Sequence, residues 1–170
     1  MEQSSTIVGE APIEDSRRRQ TFDQLYRTHA AEGRRVAYLF VGDASHAEDI
    51  VQEAFIRVLG RFGEIRNPLA FKTYLLRTVV SLSKNHFRRS ALERRHQPLP
   101  EAMLEGPVER DHELIAALAR LPYRQRAAVV LRYCEDLSES DTAEILHTSI
   151  KAVQSLVRRG LAALRKEVQR

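Results

Sequence analysis

Two helical signals split by a two-residue break constrain this chain more than any other feature. Residues Leu137-Ser-Glu-Ser-Asp-Thr-Ala-Glu-Ile-Leu146 form a short acidic segment, and Ser149-Ile-Lys-Ala-Val-Gln-Ser-Leu-Val-Arg-Arg-Gly-Leu161 a longer basic one. Ser138 followed by Asp141 is a helix-start signal, because both side chains can bond the amide groups a first turn leaves unpaired. The second segment can be capped by Thr148 or Ser149. Ile150, Val153, Val157, Leu161 and Leu164 then recur at helical spacing and predict its buried stripe. The opposite face carries Lys151, Gln154, Ser155 and Arg158, with Arg159 alongside. Amide, hydroxyl and guanidinium groups in one row suit the reading of base edges in a major groove. The pair of segments is therefore expected to be a helix-turn-helix, with DNA as its leading partner.

The charge distribution agrees. The whole chain is only +4, but His147 to Arg170 holds six Lys/Arg against one acid, while Glu135 to Leu146 holds five acids and no base. A second basic cluster, Lys84, Arg88, Arg89, Arg94 and Arg95, contains His86 and Phe87. Such stripes neutralise phosphates, and an aromatic ring among them is expected to stack on bases. Either stripe alone would equally suit a solvated helix face.

The rest of the chain also reads as helix. Ile50, Val51, Ala54, Phe55, Val58, Leu59 and Phe62 share one face. Asn67-Pro68 breaks that helix and Pro68 opens the next, where Phe71, Leu75, Leu76, Val79 and Leu82 repeat. Gln97–Pro107, with three prolines and a glycine, reads as a linker. No strand pattern stands out, so the fold class expected is all-α: two small helical domains joined by a flexible linker, the C-terminal one a helix-turn-helix. The expected boundaries are a disordered tail over 1–16, a first domain over 17–95, the linker over 96–110 and a second domain over 111–170.

Other chemistry finds little support. His29, His46, His86, His96, His112 and His147 are scattered, with none at ligand spacing from another histidine or a cysteine, so no metal is expected. Glu48 and Asp49 are adjacent and point to different sides of a helix. The seven glycines form no phosphate-cradling loop, so neither an enzyme nor a cofactor is expected. No apolar run reaches membrane-spanning length and no signal peptide opens the chain. Cys134, the single cysteine, is expected to be a buried, inert thiol in a reducing cytoplasm.

Asp49, Gln52, Glu53 and Ile56 form a polar face turned away from Val51, Phe55 and Val58, and by itself this could be a solvated surface. The motifs around it say more. Phe22-Asp-Gln-Leu-Tyr26 with His29, then Ala47-Glu-Asp-Ile-Val-Gln-Glu-Ala-Phe55, resembles the core-binding domain of bacterial sigma factors. Leu121-Pro-Tyr-Arg-Gln-Arg126 and the helix-turn-helix are similar to their promoter-reading domain. Order, linker and length resemble the extracytoplasmic-function (ECF) group of the sigma-70 family, and the likeness runs from Phe22 to Leu164.

The resemblance implies a sigma factor that binds core RNA polymerase, directs it to promoter DNA and helps melt the minus-10 element. It implies that Asp49, Gln52, Glu53 and Ile56 dock on the polymerase. It places minus-10 contacts on Arg77, Ser81, Lys84, Asn85, His86, Arg88 and Arg89, and minus-35 contacts on Ser149, Lys151, Gln154, Ser155, Arg158 and Arg159. An anti-sigma factor is a further partner such proteins usually have. Three positions depart from the family pattern: Ser81 replaces a common Asn at the pocket for the flipped base, His147 a Gly in the turn, and Tyr74 a frequent Trp in the core. Two other readings stay open: a sigma-like decoy that titrates an anti-sigma factor, and a helix-turn-helix repressor.

Overall fold

The structure is a computed structural model and describes residues 11–61, 70–93 and 109–168, with side chains over 21–61, 70–88 and 113–166. Every element among them is helical. Three long helices come first: α1 (Ala11–Val41), α2 (Ala44–Gly60) and α3 (Phe71–Glu93). A cluster of shorter ones follows: α4 (Glu109–Arg120), α5 (Tyr123–Val129), a π-helical turn (Val130–Cys134) and α6 (Glu139–Ile145), and then α7 (Ile150–Val168). Helix α1 begins at Ala11, so residues 11–16 are helical where the sequence reads as tail. The Asn67-Pro68 break, Phe62, Arg94, Arg95 and the linker Gln97–Pro107 lie outside the described residues.

Gly42, at φ 74°, ends α1. Asp43 then caps α2: its Oδ1 accepts the His46 amide at 2.7 Å, satisfying one unpaired donor of the first turn. The apolar repeat of α2 works as its spacing predicts at Val51, Ala54, Phe55 and Val58, which are buried against Val36 and Phe40 of α1 and Phe71, Leu75, Leu76 and Val79 of α3. Phe55 is the hub, with its ring 4.6 Å from Tyr26 and 5.9 Å from both Phe22 and Phe71. Burying a side chain of this size contributes about 1.5–3 kcal/mol. Leu59 departs from the expected stripe and is exposed, because it falls past the end of the face that α1 covers. Tyr74 is also no core residue: it is exposed on the outer side of α3.

The second core is built by Leu118, Leu121, Ala127, Val129, Val130, Leu131, Ile145, Val153 and Leu156. Its two C-terminal helices form the expected helix-turn-helix. Ser138 Oγ accepts the Asp141 amide at 3.0 Å, and Ser149, rather than Thr148, caps α7 by accepting the Ala152 amide at 3.2 Å. His147 occupies the turn at φ 47°. The stripe of α7 differs at its first turn: Ile150 is 45% exposed, while Leu156 is buried with Val153 and Gly160. Gly160 is needed because a Cβ there would meet Val129 Cγ2 at 2.7 Å. Helix α7 therefore crosses α5 closely at its middle, and Ile150 at its start is left exposed while Val153 in the same turn is buried.

The two blocks pack against each other through both apolar and polar contacts: their buried apolar residues form one continuous cluster, with the Phe40 and Tyr123 rings 5.4 Å apart. Arg126 is buried; its Nη1 donates to the Phe40 carbonyl at 2.6 Å and its guanidinium lies over the Phe87 ring. The Tyr123 hydroxyl donates to the Val80 carbonyl. Arg35 makes a two-pronged bond, at 2.9 and 2.8 Å, to Glu135, whose side chain is fully buried. The π-helical turn ends at this point, with the Glu135 amide donating to the Val130 carbonyl at 3.1 Å. Cys134 beside it is half-buried, and burial pushes its thiol above the ordinary range.

Candidate nucleic-acid interface

The outer face of α7 is an open polar surface. Lys151, Gln154, Arg158 and Arg159 are exposed opposite Val153, Leu156 and Gly160, and Ser155 is half-buried at the border. Ser149 is exposed but its Oγ already accepts the capping bond. Two side chains of this face have partners within the domain: Arg159 Nε donates to the Ser155 carbonyl at 3.3 Å, and Gln154 Nε2 to Glu139 Oε2 at 2.8 Å. Five of the six residues expected here, Lys151, Gln154, Ser155, Arg158 and Arg159, thus lie on or beside one exposed arc of α7, and Ser149 precedes the helix as its cap. Ile150 lies on the same arc, although the stripe predicted it to be buried.

On α3 the expected residues divide. Ser81, Lys84, Asn85 and Arg88 are exposed, and the side chain of Arg89 lies outside the described ones. Arg77 is half-buried and donates to Glu144 of α6, at 3.1 Å to the carboxylate and 3.3 Å to the carbonyl, while its guanidinium lies 5.6 Å from the Tyr74 ring centre. His86 packs against His46, ring centres 4.8 Å apart, so two histidines far apart in sequence meet in the fold. Phe87 is not the open stacking platform expected of it. Its ring is 5.8 Å from Tyr123 and lies under Arg126, because α5 occupies that side of α3. The exposed aromatic of α3 is Tyr74, which the family resemblance assigned to the core; only the way α3 is rotated against α1 and α2 reveals it.

Between α2, α3 and the turn after α6 lies a cleft of about 1030 Å³. Arg57, Arg61, Arg77 and Lys84 line one wall and Arg124 and His147 the other, with Tyr74, Thr78 and Ser81 between them. Among the described residues no carboxylate lines it. A groove with cations, hydroxyls and one open ring can hold phosphates and stack a base.

The remaining expected face is on α2. Asp49 and Gln52 are exposed, Glu53 is half-buried, and Ile56 is 64% exposed beside Leu59. Glu53 binds Arg57 at 2.7 Å and the Gln52 amide donates to Glu48 at 3.2 Å. An apolar pair rimmed by carboxylates and an amide is suited to a protein partner with basic residues.

Comparison with known families decides what these surfaces belong to. Residues 25–93 match the family described as Sigma-70 region 2, and residues 111–164 the one described as Sigma-70, region 4. The RNA polymerase sigma-E factor of Streptomyces avermitilis is 32% identical over 152 residues, covering 87% of this chain and 85% of that protein. The chain belongs to the sigma-70 family. Within it, the ECF RNA polymerase sigma factor SigM of Mycobacterium tuberculosis is 34% identical, covering 86% of this chain and 76% of its own length. SigX of Bacillus subtilis, also an ECF factor, is 29% identical, covering 88% and 84%. The protein is thus a sigma factor of the ECF group, one that directs RNA polymerase to promoters.

Two solved structures share the fold at low identity. One is RpoE in complex with the anti-sigma factor NepR from Bartonella quintana, with a TM-score of 0.71 at 20% identity, covering 87% of this chain and 96% of that one. The other is CnrH in complex with the cytosolic domain of CnrY, with a TM-score of 0.68 at 22% identity, covering 87% of each. In this sigma factor the first block corresponds to region 2 and the second to region 4. No described helix is long and apolar enough to cross a membrane.

Proposed function

We propose that this ECF sigma factor works through three separate surfaces. Asp49, Gln52, Glu53 and Ile56 grip core RNA polymerase, with the exposed Ile56 supplying apolar area and the carboxylates pairing with basic residues of the partner. Ser81, Lys84, Asn85 and Arg88, with Arg77 and Arg89, hold the opened minus-10 strand on the α3 side of the basic cleft. Here Tyr74 replaces Phe87 as the ring available to stack, and His86 acts from behind by packing on His46. Ser149, Lys151, Gln154, Ser155, Arg158 and Arg159 read the minus-35 element. The protein carries out no reaction of its own and acts in the cytoplasm, with an anti-sigma factor as its controlling partner.

The exposed polar arc of α7, opposite a stripe that packs it rigidly on α5, is the observation that carries this reading, since base readout needs such a face on a fixed helix. Run-off transcription with purified core polymerase and a library of promoter sequences tests it. Transcripts confined to templates sharing minus-10 and minus-35 sequences are expected. Core binding without any promoter-dependent transcript would instead mark a decoy, and DNA binding without core association a repressor.

A further inference from the structure

The first turn of α7 carries two features that stability does not explain. Ile150, a large apolar side chain, is 45% exposed at the start of the helix. One turn later, Gln154 is exposed yet tethered, its Nε2 donating to Glu139 Oε2 at 2.8 Å across the helix-turn-helix. Side chains four residues apart on a helix lie about 5–6 Å from each other on the same face. Ile150 and Gln154 therefore present one apolar and one amide group side by side, at the end of the helix that enters a major groove first.

The tether decides what the amide can read. A carboxylate only accepts hydrogen bonds, so Glu139 must face the NH₂ group of Gln154. With one N–H spent there, the amide keeps one donor and one acceptor. Adenine offers the complement, an acceptor at N7 and a donor at N6. Guanine offers two acceptors, N7 and O6, and would set its O6 against the amide oxygen. The partner strand of an adenine carries a thymine, whose 5-methyl group is the one apolar feature of the major-groove code. An exposed isoleucine beside an adenine-reading amide has that methyl within reach, because base pairs are spaced about 3.4 Å apart.

We propose that Ile150 and Gln154 together read A·T pairs in the minus-35 element, Gln154 through N6 and N7 of an adenine and Ile150 through the 5-methyl group of a thymine within two base-pair steps. Glu139 acts on the DNA only through Gln154, as the residue that positions the amide. This rests on α7 being the minus-35 helix and specifies what its first turn recognises.

Single-atom changes in the DNA test it. Holoenzyme assembled from core polymerase and the full chain is first used to select its preferred minus-35 sequence. Binding is then compared on duplexes with deoxyuridine for thymine, which removes only the methyl, and with 7-deazaadenine for adenine, which removes only the N7 acceptor. The wild type should lose about fourfold from the missing methyl and about tenfold from the missing acceptor. Ile150→Ala should abolish the first sensitivity alone, and Gln154→Ala the second alone. Glu139→Ala should let guanine compete with adenine at that position, while Glu139→Gln, whose amide oxygen still accepts the tether, should restore the discrimination. A selected minus-35 sequence insensitive to both changes, or a methyl effect undiminished in Ile150→Ala, overturns the inference and leaves the wider reading standing. The absence of any minus-35 preference in the wild type would overturn both.

Discussion

His147 holds the turn between α6 and α7 at φ 47°, a region that costs a residue with a Cβ roughly 1–2 kcal/mol. Glycine removes that cost but gains freedom in the unfolded chain, which returns about 0.4–1 kcal/mol. His147→Gly should therefore stabilise the second block by about 0.5 kcal/mol, the difference of those two effects, measurable as a raised urea midpoint at unchanged m-value. The backbone demand at 147 was legible through the family resemblance, whose pattern has Gly in that turn. Asp136, at φ 50° after the π-helical turn, was not, since a five-residue widening of a helix leaves no mark in apolar periodicity. Tyr74 and Phe87 differ from expectation in the same way: the family resemblance put Tyr74 in the core and the basic cluster around Phe87 suited an open ring, and the rotation of α3 between its neighbours exchanged their roles.

At the scale of elements, α7 depends on one close approach. The Cβ of an alanine at 160 would lie 2.7 Å from Val129 Cγ2. The better helix propensity of alanine is worth about 1 kcal/mol, but overpacking a fixed crossing costs about 1–3 kcal/mol. Gly160→Ala should leave α7 helical by circular dichroism and lower the melting temperature of the protein. Helix α2 shows the opposite tolerance, because among the described residues Gln52 and Glu53 of its outer face bond only to side chains of α2 itself. Reversing it with Asp49→Arg and Glu53→Arg breaks only the exposed Glu53–Arg57 pair, so the stability change should stay within about 1 kcal/mol. Association with core polymerase should be lost, and co-purification of the folded double variant at wild-type yield would disprove that α2 docks there.

The whole molecule is joined by a seam whose charges have opposite pH responses. Burial drives the Glu135 carboxyl above the ordinary value of 4.5, helped by the nearby Glu32 and only partly offset by Arg35. A group with a raised folded value contributes stability that is complete below 4.5 and is lost as pH rises through the folded value. Glu32 behaves in reverse: burial works against its charge, but the bonds to Lys72 outweigh it and hold the carboxyl below 4.5. Its contribution is complete above 4.5 and is lost as pH falls. Glu135→Gln removes the first of these, so the wild type should lose stability relative to that variant as pH rises above about 4.5; parallel urea titrations across pH measure it, and parallel curves would refute it. Arg35→Glu should separate the blocks, at a cost of about 1–3 kcal/mol for the buried carboxylate left without its partner, with a larger radius of gyration in small-angle scattering. Promoter-specific transcription by that variant should persist. Minus-10 and minus-35 positions lie some 25 base pairs apart, roughly 85 Å at about 3.4 Å per pair, whereas here Arg77 of α3 touches Glu144 of α6 at 3.1 Å. Engaging both elements requires the seam to part.

Local chemistry and spacing were enough to determine the helices, the Ser138 cap, the helix-turn-helix with its polar outer arc, and the outer face of α2. Each of these depends on neighbours within a turn or two of the chain, which is the range that periodicity and capping report. Tertiary structure alone decided that Arg126 and Glu135 are buried between the blocks, that α5 covers Phe87, that His46 stacks on His86, and that Ile150 and Tyr74 face outward. Those outcomes depend on how far each helix extends past its partner and how it is rotated against it, and residues up to 100 positions apart set both.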